Sequence, residues 1–358
     1  IAPKRLAADW DNVGLQLGSF NNDITKVLLT IDINQQVIAE AIEADAQLII
    51  THHPLIFQPL KQLRSDLPQG NLIYNLINGG INVYAAHTNW DSTRDGVSQT
   101  LANLLELANC EVLKVTSTEQ LYKIVVFVPH GHEDKVRDGL SKGGAGYIGN
   151  YSSCTYQTDG IGTFKPEEGT NPFIGQQGLL EKVTESRIET IVPEEKLNSA
   201  IKAMLKAHPY EEVAYDIIPL HNKGQAYGLG VYGTLAYKVP LKQLLERTKA
   251  ALGISFVRVL GDLDREVKSI AVCGGSGGDL VSAAQFKGAD VLITGDVSYH
   301  QALTAEAIGL ALIDAGHYPT EILSMRDLAS QLTGKATAEK RTVQFVMSKI
   351  NTDPWRFF

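Results

Sequence analysis

The stretch Leu48-Ile49-Ile50-Thr51-His52-His53-Pro54 carries the fold prediction for this chain. Its apolar residues, Leu48 to Ile50, are typical of a buried strand in a parallel sheet. Pro54 has no N–H group to offer a neighbouring strand, so the chain is expected to leave the sheet there. Ligands of open α/β sheets bind just beyond the carboxyl ends of strands, where the two imidazoles stand. Neighbouring strand residues point to opposite faces, so both rings can serve one site only from the exit loop.

Strand and helix patterns alternate on both sides of this stretch. The predicted elements are a strand over 26–32, a helix over 36–44, a strand over 46–50, a helix over 71–78, a strand over 81–86 and a helix over 100–107. The last of these strands ends at His87-Thr88-Asn89-Trp90-Asp91, which again places polar side chains at a strand's carboxyl end. Asp91 supplies a hard oxygen donor that the imidazoles lack.

The middle of the chain has a different organisation. Its predicted elements are a strand over 121–129, a helix over 133–140, a strand over 186–193, a helix over 194–207 and a strand over 213–220, with turns and a hairpin in the glycine-rich section 143–178. Two successive βαβ patterns predict a ferredoxin-like α+β domain. We therefore expect an inserted domain over 121–222, between a first core lobe over 1–120 and a second over 223–358.

The last third of the chain repeats the theme of the first. The predicted elements are strands over 269–273, 289–294 and 310–314, with helices over 279–286 and 301–308. The final strand leads to Gly316-His317-Tyr318-Pro319-Thr320-Glu321, and the spacing from His317 to Glu321 equals that from His87 to Asp91. This predicts two similar α/β lobes that face each other across one cleft. A repeat this degenerate is also compatible with general α/β patterning.

Five residues at these strand ends form a candidate metal site: His52, His53, Asp91, His317 and Glu321. Imidazole and carboxylate ligands suit zinc, iron, manganese or cobalt, and no cysteine ligand accompanies them. We predict two divalent ions per chain, zinc or iron ahead of manganese or cobalt, with Glu321 bridging them. Pro319 favours a helix start, which would place His317 just before the helix. His300 and His87 are candidates for moving a proton, His300 alternatively for orienting a ligand.

Composition limits the classes of function. The 358 residues are enough for more than one domain, and 44% hydrophobic with 20% charged residues is typical of a globular protein. The net charge of −8 gives no support to a nucleic-acid or anionic membrane surface. Three widely separated cysteines outside any CxxC pair suit a reducing cytoplasm and small buried apolar positions. The chain begins at Ile1, so a few leading residues are expected to precede it.

Two further segments have alternative interpretations. Trp10 is expected to anchor apolar packing, with Asp11 and Asn12 in a turn, and the alternative is that Asp11 lines the site. The loop Gly274-Gly275-Ser276-Gly277-Gly278-Asp279 joins a strand to a helix and could hold a phosphate, or it is simply a tight turn. It lacks the lysine of a P-loop.

These motifs together resemble one known family, the NGG-interacting-factor-like proteins, often labelled GTP cyclohydrolase 1 type 2. The matching segments are Trp10-Asp11-Asn12-x-Gly14-Leu15-Gln16, Thr51-His52-His53-Pro54, His87-Thr88-Asn89-x-Asp91, Thr294-Gly295-Asp296 and Gly316-His317-x-x-x-Glu321. The resemblance implies a two-lobed core with a dinuclear metal site and a toroidal hexamer, and the middle block is similar to signal-transduction PII and CutA proteins. Carried over, His52, Asp91 and Glu321 would bind one metal, and His53, His317 and Glu321 the other.

The functional hypothesis is a cytoplasmic dimetal hydrolase acting on a small molecule, and the family label implies C8 of the guanine ring of GTP as the point of attack. A nucleotide phosphoesterase is the alternative among enzymes. A non-catalytic metal-binding scaffold or regulatory protein is the alternative from another class.

Overall fold

The apolar run before the two histidines forms the middle strand of a five-stranded sheet in this computed structural model, which describes residues 1–356. The strands, in their spatial order, are β1 (Gly14–Leu17), β4 (Asn82–Ala85), β3 (Leu48–Thr51), β2 (Lys26–Thr30) and β15 (Gln344–Met347). All pairs are parallel except β1 with β4. Thr30, Thr51 and Ala85 lie in register, so the segments that follow β2, β3 and β4 emerge together at one edge.

Helices cover both faces of this first sheet, as a parallel sheet requires. They are α1 (Gln35–Glu43), α2 (Pro68–Asn78) and α10 (His317–Ala338). The short α3 (Thr88–Asp91) follows β4, and α4 (Val97–Leu104) contributes Leu101 and Ala102 to the core of the second sheet described below. Alternation along β2 sends Leu28 into the core with α1 and α2, and Val27 and Leu29 into the core with α10. This double burial explains why the strands carry almost continuous apolar runs.

A second, six-stranded sheet repeats the arrangement. Its strands, in spatial order, are β11 (Arg258–Leu260), β14 (Ala311–Asp314), β13 (Val291–Gly295), β12 (Glu266–Ser276), β10 (Ala226–Pro240) and β5 (Ala108–Thr118), and its helices are α7 (Leu241–Leu252), α8 (Val281–Phe286) and α9 (Tyr299–Ala307). The β12, β13 and β14 strands are parallel, and Thr294 pairs with Asp314. Asp296 and His317, just beyond those two strand ends, therefore lie near each other.

The two α/β lobes exchange segments of chain, which the strand patterns alone do not indicate. Strand β15 comes from the C-terminal flank and pairs with β2, whereas β5 comes from the N-terminal flank and joins the second sheet. Helix α10 contacts both β12 and β15. The flanks consequently form one compact unit, composed of Ile1–Ser117 and the chain from Tyr227 onward.

The segment Thr118–Ala226 forms a unit of its own, and sequence analysis places its limits at 121 and 222. Its elements are β6 (Leu121–Pro129), α5 (Glu133–Lys142), β7 (Tyr156–Phe164), β8 (Glu181–Pro193), α6 (Glu194–Ala207) and β9 (Tyr215–Leu220). The strand order β7-β8-β6-β9, antiparallel throughout, is the ferredoxin-like arrangement. Ile124, Ile188 and Met204 are fully buried in a core that this unit builds alone.

Several local expectations were wrong. Helix α4 begins at Val97 and ends at Leu104, three residues earlier than predicted, and α10 begins at His317 rather than after it. Cys110 is exposed, whereas Cys273 is buried as expected. Trp10 is 63% exposed and therefore does not anchor the core. Among residues 1–356, no helix is long and apolar enough to cross a membrane.

The separate core predicts that the flanking unit folds without the insert. The Glu119 N–H donates to the Gln225 carbonyl over 2.8 Å, so the two ends of the insert meet and a short glycine-containing turn can replace 119–225. We expect the shortened chain to remain monodisperse, with a cooperative thermal transition followed by circular dichroism. Aggregation of the shortened chain, together with loss of that transition, would contradict two independent cores.

Candidate metal centre

His52 and His53 lie on the loop that leaves β3, as the sequence indicates. Their backbone N–H groups donate to the carbonyls of Thr30 and Ile31 over 3.1 and 2.9 Å, which extends the parallel pairing beyond the strand. The Thr51 hydroxyl also donates to the Ile31 carbonyl, over 2.7 Å. This tight main-chain anchoring fixes both rings at the edge where the neighbouring strands end.

Four imidazole rings converge here, and each has its Nδ1 atom against an oxygen acceptor. These pairs are His52 with the Ala86 carbonyl at 2.8 Å, His53 with Asp32 at 2.7 Å, His87 with Asp11 at 3.0 Å and His317 with Asp296 at 2.7 Å. A carbonyl or carboxylate oxygen can only accept, so each Nδ1 donates and each neutral ring keeps its lone pair at Nε2. Histidines that bind metals in proteins are oriented in this way.

The carboxylate of Glu321 lies among three of those Nε2 atoms. Its Oε1 is 3.1 Å from Nε2 of His317 and 3.5 Å from Nε2 of His52, and its Oε2 is 3.2 Å from Nε2 of His53. Asp91 Oδ1 lies 3.6 Å from Nε2 of His52, the residue with which it was expected to share a metal. All five residues proposed as metal ligands are thus within one cluster.

The cluster fits a bound cation on grounds of hydrogen bonding and space. Nε2 of His52, Oδ1 of Asp91 and Oε2 of Glu321 are buried, and none has a hydrogen-bond partner among the described residues. Buried polar atoms of this kind are costly unless something else satisfies them. Gly275 keeps the space open, because a Cβ atom there would lie 2.1 Å from Oε1 of Glu321. Lone pairs of nitrogen and oxygen facing one another need a positive charge between them.

The electrostatics of the protein groups alone show how strongly they interact. Burial lowers the pKa of His53, but the adjacent carboxylates of Asp32 and Glu321, which favour the protonated ring, outweigh burial and raise it to about 10. The adjacent Glu321 carboxylate likewise raises the pKa of His317 to about 9. Burial raises the pKa of Asp91 to about 7, while the surrounding imidazoles hold the pKa of Glu321 well below its usual value despite burial. Glu321 is therefore the permanent anion of the cluster.

His87 and His300, the two residues predicted to move protons, lie in different surroundings. The ring nitrogens of His52, His53 and His87 come within 4.8 Å of one another, as do the ligand atoms of His53, His317 and Glu321. His300 lies exposed on α9, and its ring stands edge-on to the ring of Tyr299, with centroids 5.7 Å apart. Among the described residues, His87 belongs to a group of clustered ligand atoms and His300 does not.

Sequence reasoning missed the residues that orient the imidazoles. Asp32 and Asp296 accept from Nδ1 of His53 and His317. Asp11, expected in a turn, accepts from His87 Nδ1 and from the backbone N–H of Thr88. Their positions could have indicated this role, because each of these carboxylates lies near the end of a strand, close to a loop that carries a histidine.

Backbone N–H groups of the glycine-rich loop 274–279 form hydrogen bonds within the protein rather than a phosphate-binding site. The N–H of Gly275 donates to the Thr320 hydroxyl and the N–H of Gly277 to the Thr294 hydroxyl, both over 2.9 Å. These amide groups are therefore engaged inside the protein. The tight-turn interpretation accounts for the loop.

Comparison with known proteins identifies the family of this chain. The model of the Duf34/NIF3 family (NGG1p interacting factor 3) matches residues 1–354. The chain belongs to the Duf34/NIF3 family. It is 46% identical to a protein of Halalkalibacterium halodurans named "GTP cyclohydrolase 1 type 2 homolog", over 99% of this chain and 95% of the relative. A Bacillus subtilis protein of the same name is 44% identical over 100% of this chain and 95% of that protein.

A solved structure of a Bacillus cereus protein related to NIF3 has the same fold. It is similar to this chain with a TM-score of 0.94 and 45% sequence identity, over 100% of this chain and 96% of the other. The match spans the flanks and the inserted unit, so the insertion is a shared feature of these two Duf34/NIF3 proteins.

Glu321 is predicted to matter more for metal binding than any histidine, because its carboxylate faces three Nε2 atoms and its charge offsets the repulsion of bound dications. We expect Glu321→Ala to lose all bound metal and His52→Ala to retain about one ion of two with lower affinity. Elemental analysis after dialysis against a weak chelator measures the stoichiometry, and His300→Ala is the matched control that should keep the wild-type content. Retention of two ions by Glu321→Ala would place the bridging ligand elsewhere.

The orienting carboxylates give a separate prediction. Asp32→Ala removes the acceptor of His53 Nδ1, so the ring loses its fixed orientation and metal affinity should fall by roughly 10–100-fold. Competition with a chromogenic chelator measures this affinity. Asp23→Ala, at an exposed carboxylate outside the cluster, is the control. Equal affinities of the two variants would show that Asp32 does not hold the ring.

Proposed function

We propose that this Duf34/NIF3 protein is a metal-dependent hydrolase that holds two divalent ions with His52, His53, Asp91, His317 and Glu321. The observation that carries the proposal is the Glu321 carboxylate, which lies 3.1–3.5 Å from the Nε2 atoms of three histidines whose opposite nitrogens are already engaged. Two ions in such a site, zinc or iron by the ligand set, would supply Lewis-acid activation of water and substrate.

Side chains of the protein would hold the two ions together and orient the residues that bind them. Glu321 and Asp91 contribute the negative charge that lets two dications lie close together, at about 3.5–4 Å in typical two-metal sites. Asp32 and Asp296 hold the rings of His53 and His317 in place. The buried surroundings of His52 and Glu321 exclude water from one side of the cluster and strengthen the electrostatic interactions there.

His87 is the residue best placed to move a proton. Its Nδ1 is held by Asp11 Oδ1 at 3.0 Å, and its ring centroid lies 5.2 Å from that of His52 and 5.5 Å from that of His53. Nε2 is therefore left to accept a proton from water or return one to a leaving group. His300 receives no role from the geometry.

Exposed aromatic rings beside His87 support a heterocyclic substrate. Trp10 is 63% exposed and lies 6.0 Å from the His87 ring, and Phe57, 43% exposed, lies 5.8 Å from Trp10. Exposed aromatic faces of this kind stack on nucleobases. The names of the relatives point in the same direction, and we infer that the substrate is a guanine nucleotide attacked at C8 of its ring. A homohexamer in the cytoplasm stays the prediction for its assembly and location.

Turnover of a nucleotide panel by metal-loaded protein tests this function. We expect hydrolysis of GTP with release of formate, abolished in Asp91→Ala and about 10²–10⁴-fold slower in His87→Gln at unchanged metal content. Asp23→Ala is the control variant. Measuring phosphate in parallel separates ring opening from phosphoester hydrolysis.

Two outcomes would contradict the proposal. Phosphate release without formate would make the protein a nucleotide phosphoesterase. Protein that carries two ions but turns over no nucleotide would be a metal-binding scaffold.

A further inference from the structure

The inserted unit contains a cavity of about 470 Å³ whose lining residues all lie between Phe127 and Ala214. Four of them are aromatic, namely Phe127, Phe164, Phe173 and Tyr210, and the last three form a group of neighbouring rings. The Phe164 and Phe173 ring centroids lie 5.9 and 6.2 Å from that of Tyr210, in tilted or edge-on arrangements that turn ring faces in different directions. The volume falls in the range of about 300–1,000 Å³ that is usual for small-molecule sites.

A buried carboxylate lies at the wall of this cavity. Glu185 is only 8% exposed, and its Oε1 accepts a hydrogen bond of 3.0 Å from the Tyr210 hydroxyl. Its Oε2 accepts no hydrogen bond from the residues that the structure describes. Gly162 lets that oxygen pack against the backbone of β7, since a Cβ there would lie 2.0 Å from it. A carboxylate oxygen that is not engaged by the protein can pair with a cation or a hydrogen-bond donor that enters the cavity.

The charges around the cavity favour a cation. Glu211 and Glu212 line it together with Glu185, against a single lining cation, Lys165. Lys165 Nζ lies 4.0 Å from Glu167, which neutralises part of its charge. The lining thus carries a formal excess of two negative charges, which opposes phosphates and other anions.

The Tyr210 ring of the cavity wall is held in place before any ligand arrives. Nδ1 of His208 accepts the Tyr210 N–H over 3.1 Å, and its Nε2 donates to the Phe127 carbonyl over 2.9 Å. Burial and the neighbouring Glu185 raise the pKa of Tyr210, so its hydroxyl stays a donor to the carboxylate. A fixed ring and a fixed carboxylate reduce the ordering cost of binding.

We propose that this cavity binds a small organic cation, in which a protonated amine, a guanidinium or a quaternary ammonium group is attached to a short apolar body. Aromatic faces attract such cations, most strongly when both are shielded from water. Glu185 Oε2 pairs with the positive group, and the rings of Phe164, Phe173 and Tyr210 cover the apolar part. None of these residues belongs to the metal centre, so the inference is independent of the hydrolase proposal.

Isothermal titration of the full chain with three probes tests the proposal: choline, cadaverine and agmatine. We expect at least one of them to bind. The neutral isostere of choline, with carbon in place of nitrogen, should bind about tenfold more weakly or worse than the best cation. Absence of binding by all three probes, or equal binding of choline and its isostere with no affinity for the other two, would overturn the proposal.

Variants then locate the site. Glu185→Gln keeps the shape and the acceptor for Tyr210 but removes the charge, and it should weaken the best cation about tenfold or more. Phe173→Leu keeps an apolar side chain but removes a ring face, and it should weaken binding about threefold or more. Glu189→Gln is the matched control, because it lies on the same strand, outside the cavity, and should bind as the wild type does.

Two further arms make the result decisive. Thermal unfolding followed by circular dichroism shows whether each variant is folded, and if Glu185→Gln is not, Phe173→Leu carries the test alone. A glycyl-lysyl-glycine peptide that binds while the free amines do not would show that the cavity takes a protein side chain, which would overturn the assignment to a free small molecule. If both Glu185→Gln and Phe173→Leu bind the cation with wild-type affinity, the cation does not bind in this cavity, and the proposal is overturned.

Discussion

The structure of the flanking unit depends on one arrangement, a single buried carboxylate facing three imidazoles. Glu321 is 3% exposed, and removing such a charge from water costs several kcal/mol unless partners meet it. His52 and His53 come from the first sheet and His317 from the helix that follows the second, so the charge is satisfied only when both lobes are in place. Formation of the site therefore depends on the packing of the two lobes.

Helix α10 brings the carboxylate to that position, and several contacts hold the helix. The buried indole of Trp90 donates to the Ser324 hydroxyl over 3.2 Å, and that hydroxyl donates to the Glu321 carbonyl over 2.7 Å. One turn further, Asp327 accepts from the Thr100 hydroxyl over 2.6 Å. Met325 and Leu328 pack into the core beneath the first sheet. Polar and apolar contacts thus fix the helix from one lobe while its first residue, His317, is held by Asp296 from the other.

The elements and the ligand types of this protein could be predicted from its sequence, because both depend on local patterns. Apolar runs that end in His52-His53 or precede Gly316-His317 mark parallel strands, and the carboxyl ends of parallel strands meet at one edge. Local patterns do not predict which distant segments of the chain pair with each other. The exchange of β5 and β15 between sheets depends on tertiary contacts, as does the pairing of Asp32 and Asp296 with particular rings. The expectation for Trp10 was wrong for a related reason: a large aromatic residue is usually buried, and nothing local shows that this one stays exposed beside His87.

The cavity of the inserted unit could not be predicted from the sequence, because its lining residues come together only in the folded structure. Glu185 follows the alternating pattern of β8, where a carboxylate would be expected on the solvent side, and Phe173 lies in a glycine-rich stretch without periodicity. They meet only because the loop before β8 folds back over the sheet next to Tyr210, whose ring contacts Phe173 and whose hydroxyl contacts Glu185. Gly162 on β7 makes room for the Glu185 carboxylate, because a Cβ there would lie 2.0 Å from Oε2. A buried carboxylate with an open oxygen, a rigid aromatic wall and an excess of negative charge all favour the same kind of ligand. Because each of the three has a different structural origin, their agreement makes a cation site a better explanation of the cavity than a packing defect, which would leave apolar atoms rather than a carboxylate at its wall.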